Sequence, residues 1–158
     1  MKKLRVYLDT SVLGGAFDDE FAEASRNLIK YIKKRRLIPL ISENLAAEIA
    51  DAPLPVQELL KEISILDAEL LYYSEAALDL HKEYLRAEVV PAKYTDDALH
   101  VALATIYRAD VIASWNFKHL VNPTRIRAFN GVNLTRGYDL MIILTPADLV
   151  KLMETENE

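Results

Sequence analysis

The sequence predicts an α/β fold, a three-layer α/β/α sandwich with a mostly parallel central sheet. Short strand-like apolar runs alternate with longer helical stretches along the 158 residues, which is the pattern of βαβ units. The strand runs are nearly continuous in apolar residues, as strands covered by helices on both faces require. No Gly/Ser-rich linker, repeat or low-complexity tract divides the chain. The expectation is therefore one domain over residues 1–150, followed by an acidic tail over 151–158.

The first strand is Leu4–Leu8, rich in β-branched and aromatic residues and ending at Asp9-Thr10-Ser11, where Thr10 and Ser11 are candidate caps for a following helix. Phe21, Ala24, Leu28 and Tyr31 give helical spacing to Glu20–Lys34, whose basic end suits the negative pole of a helix. Leu37–Ile41 is a second strand, and Ser42 is placed to N-cap a helix through Ala50. Pro53 and Pro55 end that helix and open another, to about Ile63. A short strand near Leu70–Tyr73 precedes a helix over Glu75–Arg86. Thr95 is the predicted cap of a strongly apolar helix from Asp96 to Arg108. Asp110–Trp115 and Met141–Leu144 are the last strands, and Thr145-Pro146-Ala147-Asp148 starts the final helix with proline at its first position.

Composition narrows the function classes. With no cysteine, disulfides, thiolate zinc sites and a cysteine nucleophile are excluded. The formal net charge of −5 does not advertise a broad nucleic-acid surface. No stretch approaches the roughly 20 apolar residues of a membrane span, and the N-terminal apolar run stops at Asp9, short of a signal peptide. A cytoplasmic protein without a membrane partner is expected. Gly-rich phosphate loops, His-Glu-x-x-His and Gly-x-Ser-x-Gly are also missing.

In sheets of this kind ligands bind beyond the carboxyl ends of the strands. Three segments lie there: Asp9, Ser42–Glu48, and Ser114–Asn116. An acid after a strand also commonly prepares a helix N-terminus. On the helix after Ser42, Leu45 and Ile49 mark the buried side, and Glu48 lies about 60° from Leu45 while Glu43 lies nearly opposite. Glu48 thus borders the core. Asp96 and Asp97 open the apolar helix, and periodicity does not choose between them. Acids gathered at one sheet edge repel unless protonated or bridged by a cation, and hard oxygen donors favour Mg²⁺ or Mn²⁺.

These segments, in this order, resemble the PIN-domain family, the nuclease fold of VapC-type toxins in toxin–antitoxin modules. The resemblance spans Val6 to about Leu149. Leu8-Asp9-Thr10-Ser11 resembles the opening strand with its first acid, and Ile41–Ile49 the second segment, with Glu48 in the acidic slot. Asp97-Ala98-Leu99-His100-Val101-Ala102 resembles the third, which favours Asp97 over Asp96. Ala109–Asn116 resembles the fourth, with Ser114-Trp115-Asn116 where many relatives carry Thr/Ser-x-Asp.

What the resemblance implies is a Mg²⁺- or Mn²⁺-dependent endoribonuclease acting on single-stranded RNA, with Asp9, Glu48 and Asp97 as ligands and Asn116 as an uncharged auxiliary. A homodimer and a small antitoxin protein as partner are implied as well. An alternative is a catalytically weakened RNA- or protein-binding module, since Asn116 brings no charge. Ser11, Ser114, Lys118, His119 and Arg125 are candidate substrate contacts, the last three within a basic stretch that continues to Arg127 and Arg136.

Overall fold

The computed structural model describes residues 2–156. Five strands form one all-parallel sheet: β1 (Leu4–Leu8), β2 (Leu37–Ser42), β3 (Glu69–Leu71), β4 (Val111–Ala113) and β5 (Ile143–Leu144), in the order β3-β2-β1-β4-β5. Among the described residues eight α-helices connect and cover them: α1 (Thr10–Gly15), α2 (Ala22–Lys33), α3 (Glu43–Ile49), α4 (Leu54–Ser64), α5 (Glu75–Arg86), α6 (Thr95–Ile106), α7 (Pro123–Thr135) and α8 (Pro146–Glu156). The fold class is the one the sequence predicts.

Alternation along β1 shows why both faces are covered. Val6 and Leu8 enter a core with Val12, Leu28, Ile32, Leu45, Ile63 and Leu149, drawn from α1–α4 and α8. Tyr7, between them, points to the opposite core, built with Leu80, Tyr84, Leu99, Leu103 and Phe129 from α5–α7. Side chains alternate across a strand, so a fully apolar strand needs a layer on each side. Tyr84 donates a hydrogen bond to Asn133 Oδ1, which settles one buried polar pair within that second layer.

The local signals explain most boundaries. Ser42 Oγ accepts the Leu45 N–H at 3.0 Å, so α3 begins where an N-cap serine directs. Ser74 does the same for α5, accepting from Ala77 at 3.1 Å. Thr145 Oγ1 accepts from the Asp148 amide at 3.1 Å, at the start of α8.

Several details differ from the sequence reading, beginning with two strand bounds: β3 covers Glu69–Leu71 and stops short of Tyr73, and β5 is confined to Ile143–Leu144. Thr95 is not the cap of α6 but its first residue, with Tyr94 in the cap position and no side-chain capping bond. The 3₁₀ turn Ala92–Tyr94 runs directly into the helix. Likewise Thr10 and Ser11 lie inside α1, with Asp9 at its N-cap. The fourth strand is shorter than Asp110–Trp115, because Ser114 and Asn116 turn the chain through side-chain bonds. Helix α7 was not expected. Asn122 accepts from the amides of Thr124 and Arg125 and Pro123 follows at the first helical position, but the only buried side chains are Phe129 and Asn133, so no apolar stripe announces the helix. Finally, α8 runs through residues 151–156, where a tail was expected, and buries Met153.

Candidate active site

The chain order reverses beside β1: β2 and β3 lie to one side, β4 and β5 to the other. Such a switch point opens beyond the carboxyl ends of the strands. Asp9 and Ser114 stand there, one residue past β1 and β4. The Asp9 amide donates to the Ala113 carbonyl at 3.2 Å, which carries the strand pairing up to the site.

Asp9 is 5% exposed. It occupies the N-cap position of α1, yet its carboxylate makes no capping bond. Instead Oδ2 accepts two hydroxyl donors, Ser11 and Ser114, each at 2.7 Å. Ser11 Oγ in turn accepts the Trp115 amide, and Ser114 Oγ accepts the Asn116 amide, at 2.8 and 2.9 Å. The two serines, expected to meet substrate, thus hold Asp9 and the chain after β4 in register.

Glu48 reaches this point from α3. Thr10 Oγ1 donates to its Oε2 at 3.0 Å, and its Oε1 lies 2.5 Å from Nε2 of His100. The same imidazole nitrogen is 3.6 Å from Asp9 Oδ1. One ring therefore stands between two carboxylates. On its other side His100 Nδ1 is 2.6 Å from the Tyr7 hydroxyl, itself 2.8 Å from Ser42 Oγ. His100 is 1% exposed. Burial opposes its charge, but the Glu48 hydrogen bond and the charges of Asp9, Glu48 and Asp97 outweigh that and raise its pKa. For Glu48 burial likewise opposes ionisation, and the bond to His100 overrides it, lowering the pKa. Burial drives the Tyr7 pKa up, so its hydroxyl remains a neutral link in the chain.

Asp97 sits at the start of α6 and pairs with the other histidine. His119 Nδ1 is 2.8 Å from Asp97 Oδ2. His119 is 2% exposed, and its Nε2 has no hydrogen-bond partner among the described residues. Asn116 Oδ1 accepts the His119 amide at 3.0 Å. It therefore caps the turn after β4, not a helix. Asp96 is exposed, whereas Asp97 is partly buried against His119.

No family model matches the chain, and no curated protein matches it. A solved structure does match in three dimensions: the crystal structure of VapBC2 from Rickettsia felis bound to a DNA fragment from their promoter. The match covers 90% of this chain and 98% of that one, with a TM-score of 0.54 and 16% identity. The likeness is one of fold.

Of the residues singled out in the sequence, Asp9, Ser11 and Ser114 form one hydrogen-bonded set, Glu48 is bonded to His100, which stands 3.6 Å from Asp9, and Asp97, His119 and Asn116 form a further set tied to Ser114 through the Asn116 amide. Arg125 turns away, donating to the Val89 carbonyl at 2.6 Å, and Arg136 pairs with Glu83 at 2.5 Å. His100 and Tyr7 were missed. The signal was present: a histidine in a helix apolar nearly all round is a buried polar group and needs partners.

The donors suit a hard cation in kind, being three carboxylates and an amide carbonyl. In geometry they do not. Among the described residues no group of three or more His, Cys, Asp or Glu side chains stands where a metal ion could be held. The His100 ring stands between Asp9 and Glu48 in this arrangement. Among the described residues, no helix is long and apolar enough to cross a membrane.

Proposed function

We propose that the chain is a metal-dependent endoribonuclease of the VapC toxin type, cleaving single-stranded RNA phosphodiesters at the carboxyl edge of β1. The observation that carries this reading is Asp9. It is a buried carboxylate at the switch point, freed from helix capping and held by two serine hydroxyls, with Glu48 reaching the same histidine. By the family resemblance Asp9, Glu48 and Asp97 would be the Mg²⁺ or Mn²⁺ ligands, with Asn116 as an uncharged auxiliary, although as folded the carboxylates do not converge on one cation position among the described residues. The chain's own residues prepare that role. Ser11 and Ser114 fix the Asp9 rotamer, and His119 orients Asp97 through its Nδ1. Loading the site requires His100 to yield Glu48, because Oε1 is committed to the ring.

Support for the toxin reading comes from the matched VapBC2 structure, in which a toxin and antitoxin pair is bound to DNA. By that analogy the partner is a small antitoxin protein, while a homodimer and a cytoplasmic location are carried into the proposal from the sequence reading alone. The second reading, a binding module without catalysis, is favoured by two observations: Asn116 Oδ1 is spent on the His119 amide, and His100 already compensates the acids. Calorimetry with Mn²⁺ and cleavage of a labelled RNA decide between them. The nuclease reading expects metal heat and Mn²⁺-dependent cleavage that Asp9→Asn and Asp97→Asn each reduce by at least about 100-fold, in line with loss of a charged group that stabilises the transition state. Cleavage that survives both substitutions, or no metal heat at millimolar Mn²⁺, favours the binding module.

A further inference from the structure

Two lysines far apart in sequence converge on one aromatic ring at the Asp97 side of the site. Lys93, in the 3₁₀ turn, places Nζ 5.2 Å from the centroid of Tyr94, and Lys118, in the turn after β4, places Nζ 5.6 Å from the same centroid. Their ammonium groups therefore lie within about 11 Å of each other, an upper bound comparable with the ~10 Å Debye length of 0.1 M salt. Several surface cations are paired, Arg5 with Glu69, Lys33 with Glu62, Arg86 and Arg136 with Glu83, and what sets Lys93 and Lys118 apart is the tyrosine ring they share. Lys93 and Lys118 have no ion-pair partner among the described residues.

Like charges gathered without a counter-ion leave an unmet demand for an anion. The ring between them narrows its kind. Tyr94 packs on His119 at 4.2 Å between centroids, and His119 holds Asp97. The cationic pair is thus fastened to the carboxylate site through two successive contacts. An extended polyanion carrying flat rings, in which phosphates alternate with bases, matches charge and aromatic surface together.

Resting on the ribonuclease reading, we propose that Lys93, Tyr94 and Lys118 form a clamp that seats single-stranded RNA, the lysines on phosphates and Tyr94 under a base. Arg125 and Arg136 are not part of it, because their guanidinium groups are engaged elsewhere.

The test is binding of a fluorescein-labelled uridine dodecamer, followed by anisotropy in EDTA across a series of KCl concentrations. Each neutralised phosphate contact contributes about 0.7 to the slope of log K against log salt for single strands. Lys93→Gln and Lys118→Gln should each flatten the slope by about 0.7, and together by about 1.4. Lys151→Gln on α8 should leave it unchanged. Tyr94→Ala should weaken binding by about 5- to 150-fold, the ~1–3 kcal/mol of one base stack, and Tyr94→Phe should restore it. Thermal melts of each variant establish that the fold is retained. An unchanged slope in the double variant, with the wild type binding RNA normally, overturns the clamp and leaves the ribonuclease reading standing. A wild type that binds no RNA overturns both. Equal loss of polyglutamate binding in the double variant assigns the lysines to an acidic protein and overturns the RNA assignment.

Discussion

At the scale of single residues, the site depends on a side chain that is missing. Gly15 closes α1 against Trp115, and a Cβ there would lie 2.8 Å from both Ser25 Oγ and the indole nitrogen. Those two atoms are hydrogen-bonded to each other at 2.8 Å, and Phe21 stacks on the indole at 4.4 Å between centroids. The Trp115 amide is in turn the donor to Ser11 that helps hold Asp9. Gly15→Ala should therefore cost about 1–3 kcal/mol of stability, as overpacking does, and shift the emission of the protein's one tryptophan. Urea unfolding followed by tryptophan emission measures both. A variant with wild-type stability and emission would show that the indole has room to move.

Asp9 and Glu48 were accessible to sequence reasoning for a simple reason: strand ends and helix faces can be counted along the chain, whereas Asp97 was preferred over Asp96 only through the family resemblance. The role of Asn116 was legible only in part, since asparagine after a strand suggests a cap, and it does cap a turn. His100 was not legible as a bridge. Its partners Glu48 and Tyr7 lie 52 and 93 residues away in sequence, and no periodicity encodes a contact of that kind.

At the scale of elements, four helices end on residues other than glycine in the left-handed region. Arg35, Asp67, Glu88 and Arg108 have φ of 58°, 57°, 54° and 56°, following α2, α4, α5 and α6. Glycine is the usual residue at such ends, because an L side chain costs roughly 1–2 kcal/mol in that conformation. With only four glycines in the chain, turn signals were sparse. Helix ends were therefore harder to locate than helix starts, which Ser42, Ser74 and Asn122 mark by their caps. Glu88→Gly should stabilise by up to about 1 kcal/mol, after allowing for the greater freedom of glycine in the unfolded chain. Glu88→Val should destabilise by about 1 kcal/mol or more. Chemical denaturation of the two variants checks the sign of each.

Across the whole molecule, Arg5 acts as a clasp over the amino end of the sheet. Its Nε and Nη2 donate to both oxygens of Glu69 on β3 at 2.7 and 2.9 Å, while Nη1 and Nη2 also reach the carbonyls of Arg108 and Tyr107. One guanidinium thus ties β1 to β3 across the intervening β2, and to the turn after α6. The hydrogen bond from Arg5 lowers the Glu69 pKa. A carboxylate whose folded pKa is depressed adds stability above its unfolded pKa, near 4.3, and loses it as pH falls through the folded value. Glu69→Gln should therefore narrow the stability gap between wild type and variant on the acid side, below about pH 4. Urea midpoints taken from neutral pH downwards test this, and parallel curves for the two proteins would remove Glu69 from acid unfolding.

The sheet also tapers. Its strands β2 and β1 run for six and five residues, the interior β4 for three, and β3 and β5, at the margins, for three and two. Few backbone donors and acceptors are therefore left bare at either side for a neighbouring chain to extend. Crowded chains are protected from stacking edge to edge into fibrils, and a binding protein must engage helices and side chains, because the margins offer too little strand to add to.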